Sequence, residues 1–439
     1  PRTSINKIPK HKDVGKDIAS ILNRFLDEHP KVQEDIHNSI GQPLDKNLGP
    51  DVNAVIASRE RVAQYLKADL NDDPGLTELC TPLLDAWSRA SHDPDRPLIE
   101  WLKTGAPGGI EEHPEHAGIF PVAEEEPSHA FELKPGDDYH KNYVSMDDSP
   151  HGYEVLMKIV DSGYVTKYPS IQAALKDTNN KDLILSKMAL ITTTKKDGSL
   201  KQRLILDCRV SGTNSATKKW ERILLPKITD VLADTMLLKA LHQGEGNFIT
   251  YFVCDFTDAF FAVPLKWSER RFFAGAFQGD IFVWNRVTQG SLNGPTLYGR
   301  LAAFIGRITQ SLLPVDKARL QIYVDDPVMV ICASPAETNR LIAVVALAWL
   351  ITGFSLAFHK AQKGSSIDWI GYTVTDTAEE TEIQIKQEFL DNLRTETQEL
   401  LRSNVVSIKK IRKFAGAANH VANLLFVWRP FLDSLWAAC

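Results

Sequence analysis

Cysteine is scarce in this 439-residue chain, which has only five: Cys80, Cys208, Cys254, Cys332 and Cys439. They are scattered, and no two form a C-x-x-C pair, which excludes a disulfide framework or a zinc ribbon. Cys254 and Cys332 lie in apolar runs and read as small core residues. No stretch reaches the roughly 18 unbroken apolar residues of a membrane-spanning helix. A charged-then-apolar leader pattern is also missing, so an intracellular protein without signal peptide or membrane contact is expected. Internal repeats are absent. The sequence opens on Pro1 and stops after an apolar run at 432–438, which reads as a piece of a longer polypeptide.

Positive charge is in deficit overall, with a net charge of −6. The deficit is local. Residues 1–150 carry 16 Lys and Arg against 28 Asp and Glu, whereas residues 151–439 carry 34 against 28. A polyanion responds to the local field rather than to the total, so the larger C-terminal part is free to bind one.

The chain length suits two or three domains. Helical periodicity is expected near 18–25, 52–70 and 76–90. A Pro-, Gly- and Glu-rich stretch follows and includes the acidic run Glu124, Glu125 and Glu126, read as a linker or surface arm. A boundary is placed at residue 150. Beyond it, short β-branched runs alternate with helical patterns. A hairpin is expected from 189–194 and 203–207 around the turn Lys196-Asp197-Gly198. Strands are expected at 250–255, 281–288, 320–324, 328–332 and 367–374. Helices are expected at 297–313, 338–352, 388–402 and 407–426. This mixture predicts an α+β fold, with helices packed on one face of an antiparallel sheet.

The most informative stretch is Gln321-Ile322-Tyr323-Val324-Asp325-Asp326-Pro327-Val328. Two aspartates sit between two apolar strand-formers, which places them at a hairpin tip. Taken alone, such a tip is also an ordinary polar turn. A second apolar strand, 250–255, ends on Asp255. If the strands are neighbours, three carboxylates meet, repel one another and resist ionisation. A divalent cation relieves that repulsion, and magnesium favours a few carboxylates together with water and phosphate oxygens. Two such ions suit in-line phosphoryl transfer.

These residues resemble those of the reverse transcriptases, over roughly residues 185–430 and in the family's order. Tyr323-Val324-Asp325-Asp326 is similar to the Tyr-x-Asp-Asp signature. The run from Asp255 to Leu265 is similar to the strand and turn carrying the first metal ligand. Gln289-Gly290-Ser291-Leu292-Asn293-Gly294-Pro295 is similar to the loop beside the incoming nucleotide, and Lys195 to Asp207 to the fingers hairpin. Residues 353–363 and Trp369-Ile370-Gly371-Tyr372 are similar to the next two blocks, the second being the primer grip. Pro327 and Gly294 depart from the family pattern without touching a ligand position.

The resemblance implies a right-hand polymerase: fingers and palm over 151–375 and a thumb over 376–439, preceded by an N-terminal extension, helical then loop-rich, over 1–150. It implies an RNA-directed DNA polymerase of a retrotransposon polyprotein, with the tyrosine-recombinase kind as the suggested subtype. Its partners would be an RNA template, a DNA or RNA primer and deoxynucleoside triphosphates. A ribonuclease H module would lie beyond the thumb. Asp255, Asp325 and Asp326, with the main-chain carbonyl of Phe256, would hold two magnesium ions, manganese being able to replace them. Arg203 and Lys196 (or Lys195) would neutralise the triphosphate. Asp258, Ala259, Phe260, Gln289 and Gly290 would line the nucleotide site, with Phe260 clashing against a ribose 2′-hydroxyl. Lys360, or Lys363, would stand near the leaving pyrophosphate. Tyr323, Trp369, Ile370 and Gly371 would meet the primer. In the thumb, Ile408, Ile411 and Phe414 would face the core, leaving Lys409, Lys410, Arg412 and Lys413 for backbone phosphates. An RNA-dependent RNA polymerase and an inactive nucleic-acid-binding copy are the competing readings.

Overall fold

The computed structural model describes residues 9–44, 46–123, 133, 141–178, 182–194, 198, 200–242, 244 and 246–439. Lys195, Lys196 and the acidic run 124–126 lie outside the described residues.

The centre is a four-stranded antiparallel sheet in the order Ala318–Tyr323, Asp326–Ala333, Phe248–Val253, Gln362–Gly364. Alternate residues of its strands enter different cores, as the twofold period of a strand requires. Tyr251, Val253, Val328 and Val330 face one cluster, while Phe252, Met329 and Ile331 face the other. Both faces are therefore covered, and the one-sided packing expected from sequence is corrected. Helices Gly294–Ser311 and Pro335–Ile351 lie on one side. Helix Ile228–His242 and the sheet Ser366–Trp369, Tyr372–Asp376, Thr381–Ile385 cover the other. Two-sided burial explains why 328–333 is apolar at every position instead of alternating.

A hairpin pairs Lys187–Thr194 with Leu200–Asp207, Ile191 standing opposite Arg203. A further strand covers only Asp280–Trp284, shorter than the expected 281–288. After Trp284 the chain leaves its sheet, and Val287 N–H donates instead to the Val263 carbonyl. The third expected helix starts late, at Thr81–Ser91 with Pro82 in its first turn, leaving 76–80 as turn and bends.

The N-terminal helices Pro9–Glu28, Pro30–Ser39, Val52–Leu66, Thr81–Ser91 and Arg96–Thr104 share one hydrophobic cluster with the central helices. Ile18, Leu22 and Phe25 are fully buried in it. The contact also buries charge. The Asp93 carboxylate accepts two bonds of 2.7 Å from Arg307 and one of 2.9 Å from His11. Arg300 is held by Asp95 and lies over the Trp101 ring at 4.2 Å. Burial pushes the Asp93 carboxyl up, but its bonds to His11 and Arg307 outweigh that and hold it at about 2. At the C-terminal end stand helices Gln387–Leu401, Ile408–Leu424 and Arg429–Ala437. Among the described residues no helix is long and apolar enough to cross a membrane.

Candidate active site

Strand Phe248–Val253 runs antiparallel to Asp326–Ala333, and Val253 pairs with Val328. That register carries the end of the first strand to the turn between Tyr323 and Asp326. Phe256 N–H donates to the Asp325 carbonyl at 3.0 Å, and Cys254 N–H to that of Pro327 at 3.4 Å. Pro327 thus serves as an acceptor, a role its missing N–H does not disturb. Asp255 and the Asp325-Asp326 pair lie side by side as a result. Phe256 itself is buried between Trp349 and Phe354.

The turn is strained. Val324 has φ of 58°, a left-handed conformation that a β-branched residue rarely adopts. Trp369 buttresses it, its Nε1 donating to the Asp326 carbonyl at 3.1 Å while Tyr323 packs edge-on against the ring. Ile370 and Gly371, both with positive φ, form the tight turn that follows Trp369. His420 of helix Ile408–Leu424 stacks on Tyr372 at 4.2 Å, and its ring would stand 3.1 Å from a Cβ at Gly371.

The electrostatics are those of crowded carboxylates. Burial first, then the charges of Asp255 and Asp325, push the Asp326 carboxyl up to about 7. Burial and Asp255 also raise Asp325. Asp326 Oδ1 is buried with no hydrogen-bond partner among the described residues. Lys360 offsets part of the charge, its Nζ lying 2.8 Å from Asp255 Oδ2. An unsatisfied buried oxygen within a group of repelling carboxylates fits a divalent cation. Among the described residues, however, no three acidic, histidine or cysteine side chains enclose an ion by themselves.

Other expected residues fall around this centre. Asp258 takes a left-handed conformation and opens the short turn Ala259–Ala262, in which Phe260 stacks on Tyr298 with ring centroids 5.3 Å apart. Tyr298 is fully buried, and its phenol also has no partner among the described residues. Gly290, at φ 113°, presses on strand Leu200–Asp207, where a Cβ would collide with the Leu206 carbonyl. Leu206 N–H in turn donates to the Gln289 carbonyl at 3.3 Å. Arg203 is exposed on that strand. In helix Ile408–Leu424, Lys409, Lys410, Arg412 and Lys413 are exposed, Lys413 pairing with Glu396 at 3.2 Å. Ile408 does not face the core as expected but is 54% exposed. It is the helix's first residue, before the turn at which packing begins. Sequence reasoning missed Tyr298, Lys201, whose charge reaches Asp325, and His420. An aromatic three positions after the Pro295 of the nucleotide loop was a usable signal for Tyr298.

Residues 193–374 match the family described as reverse transcriptase (RNA-dependent DNA polymerase). The chain carries a reverse transcriptase domain. A curated relative is the Gag-Pol polyprotein of Walleye dermal sarcoma virus, 28% identical over 148 residues, which are 33% of this chain and 7% of that polyprotein. The chain thus spans a small part of that relative. A solved foamy viral protease-reverse transcriptase in complex with double-stranded DNA shares 16% identity over 91% of this chain and 58% of that one, with a TM-score of 0.46. The same viral protein with an RNA/DNA hybrid shares 18% over 91% and 44%, with a TM-score of 0.43.

Proposed function

We propose that this reverse transcriptase domain is an active RNA-directed DNA polymerase within a retroelement polyprotein. The observation that carries the reading is the meeting of Asp255 with Asp325 and Asp326, fixed by the Phe256–Asp325 backbone bond, inside the segment that matches the family. The reaction is attack of a primer 3′-hydroxyl on the α-phosphate of a deoxynucleotide, with pyrophosphate leaving.

Asp255, Asp325 and Asp326, with the Phe256 carbonyl, would hold two magnesium ions or manganese in their place, waters and phosphate oxygens completing each shell. Ions held there would neutralise the carboxylates and supply electrostatic stabilisation to the phosphoryl transfer. The protein's own groups position and screen. Lys360 stands beside Asp255, in place to pass a proton to the departing pyrophosphate. Arg203 and Lys196 would grip the triphosphate, Arg203 through its fork of donors. Gln289 and Gly290 border the base and sugar, and Phe260 excludes the 2′-hydroxyl. Trp369, Ile370 and Gly371 would seat the primer end under Tyr323. Lys409, Lys410, Arg412 and Lys413 would follow the duplex backbone.

Single-nucleotide extension of a DNA primer on an RNA template, with deoxy- or ribonucleotides, tests the reading. Extension with deoxynucleotides and strong discrimination against ribonucleotides supports a DNA polymerase. Equal use of both points to an RNA polymerase, and duplex binding without extension to an inactive copy.

A further inference from the structure

The N-terminal helical region has no role in the chemistry above, yet it grips the turn that carries Phe260. The bent segment 76–80 lies against two parts of the polymerase body. Cys80 N–H donates to the Thr352 carbonyl at 2.9 Å, and the Thr77 hydroxyl to the Ala262 carbonyl at 2.7 Å. Glu78 pairs with Arg286 at 2.8 Å, and Arg286 stands opposite Pro264. A second strap lies just downstream. Ala106 N–H donates to the Pro264 carbonyl at 2.7 Å, and Lys266 N–H returns a bond to Ala106 at 2.9 Å. Gly105 makes this approach possible, since a Cβ there would stand 2.5 Å from the Lys266 backbone.

The same region also holds the platform beneath the ring. Phe260 rests on Tyr298, and two residues on, Arg300 is clamped by Asp95. The C-terminal end of the short turn that carries Phe260, and the helix beneath its ring, are therefore both held by groups from outside the polymerase motifs. A ring excludes a hydroxyl only while it cannot retreat, and retreat is governed by these bonds.

We propose that residues 76–106 form the rear support of the sugar gate, with Thr77 a positioning residue that sets discrimination between deoxy- and ribonucleotides through Phe260. This inference rests on the polymerase reading above. Thr77→Val keeps the shape and removes the bond to Ala262, and Thr77→Ser restores the hydroxyl.

The test is single-nucleotide extension, giving kcat and KM for a deoxynucleotide and its ribonucleotide, with each variant in the parent and Phe260→Ala backgrounds. In the parent background, Thr77→Val is expected to lower the deoxy-to-ribo ratio of kcat/KM about five-fold, the equivalent of one ordinary hydrogen bond. The change should lie in the ribonucleotide KM, and Thr77→Ser should return the ratio. In the Phe260→Ala background Thr77→Val should leave the ratio alone. A parallel fall for both nucleotides, an unchanged ratio, or an equal effect without Phe260 would overturn the proposal while the polymerase reading stands. A parent unable to extend any primer would remove both.

Discussion

The backbone N–H of Phe256 donates to the carbonyl oxygen of Asp325 at 3.0 Å. This bond joins the end of one strand to the turn of another and brings three carboxylates together without any of them ligating another. The cost is visible at Asp326, whose carboxyl is pushed up to about 7 by burial and by its acidic neighbours.

Asp326→Asn should therefore raise the melting temperature in the absence of divalent ions, because it removes a repelling charge. It should also abolish most of the further rise that magnesium gives the parent. Differential scanning fluorimetry with and without magnesium reads both effects. A variant that magnesium stabilises as well as the parent would show that Asp326 is no part of the ion site.

Much of this centre was legible in the sequence. An apolar run broken by Asp325-Asp326, and another ending on Asp255, each needed only local pattern to be placed on strands. The hairpin of Lys187–Thr194 with Leu200–Asp207 was likewise local. What was hidden depends on contacts between distant residues. Asp93 meets Arg307, and Asp95 meets Arg300, across more than 200 residues. Nothing near any of these residues marks the pairing. The two-sided packing of the central sheet was hidden for a similar reason, since an unbroken apolar strand does not name what covers it.

The buried cluster around Asp93 should dominate acid stability. Its folded carboxyl sits at about 2, below the usual value near 3.9. The stability it contributes is complete above about pH 4 and is lost as pH falls toward 2. Arg307→Leu removes one partner and leaves a buried charge underpaired, which should cost about 3 kcal/mol at neutral pH. It should also flatten the acid limb of urea denaturation midpoints measured between pH 2 and 5. An unchanged acid limb would contradict the assignment.

Gly290 is needed for close approach. Its φ of 113° and the Leu206 carbonyl leave no place for a methyl group, so Gly290→Ala should cost about 1–3 kcal/mol of local strain. Strand Leu200–Asp207 would shift from its seat. The expected result is a higher nucleotide KM and a lower melting temperature. Parent-like values for both would mean that the loop accommodates a side chain.

Trp369→Phe keeps the ring packing but loses the bond from Nε1 to the Asp326 carbonyl. A loss of about 1 kcal/mol is expected, felt as a severalfold lower kcat with nucleotide KM unchanged. An effect confined to KM would place Trp369 in nucleotide binding instead of in support of the turn.

The central claim is that the three carboxylates form a metal-dependent polymerase centre. The most direct measurement is primer extension on an RNA template with deoxynucleotides, across a magnesium titration, for the parent and Asp325→Asn. The account predicts magnesium-dependent extension by the parent and a loss of at least about a thousand-fold in the variant, in keeping with removal of an essential electrostatic group. Equal extension by both proteins would contradict it.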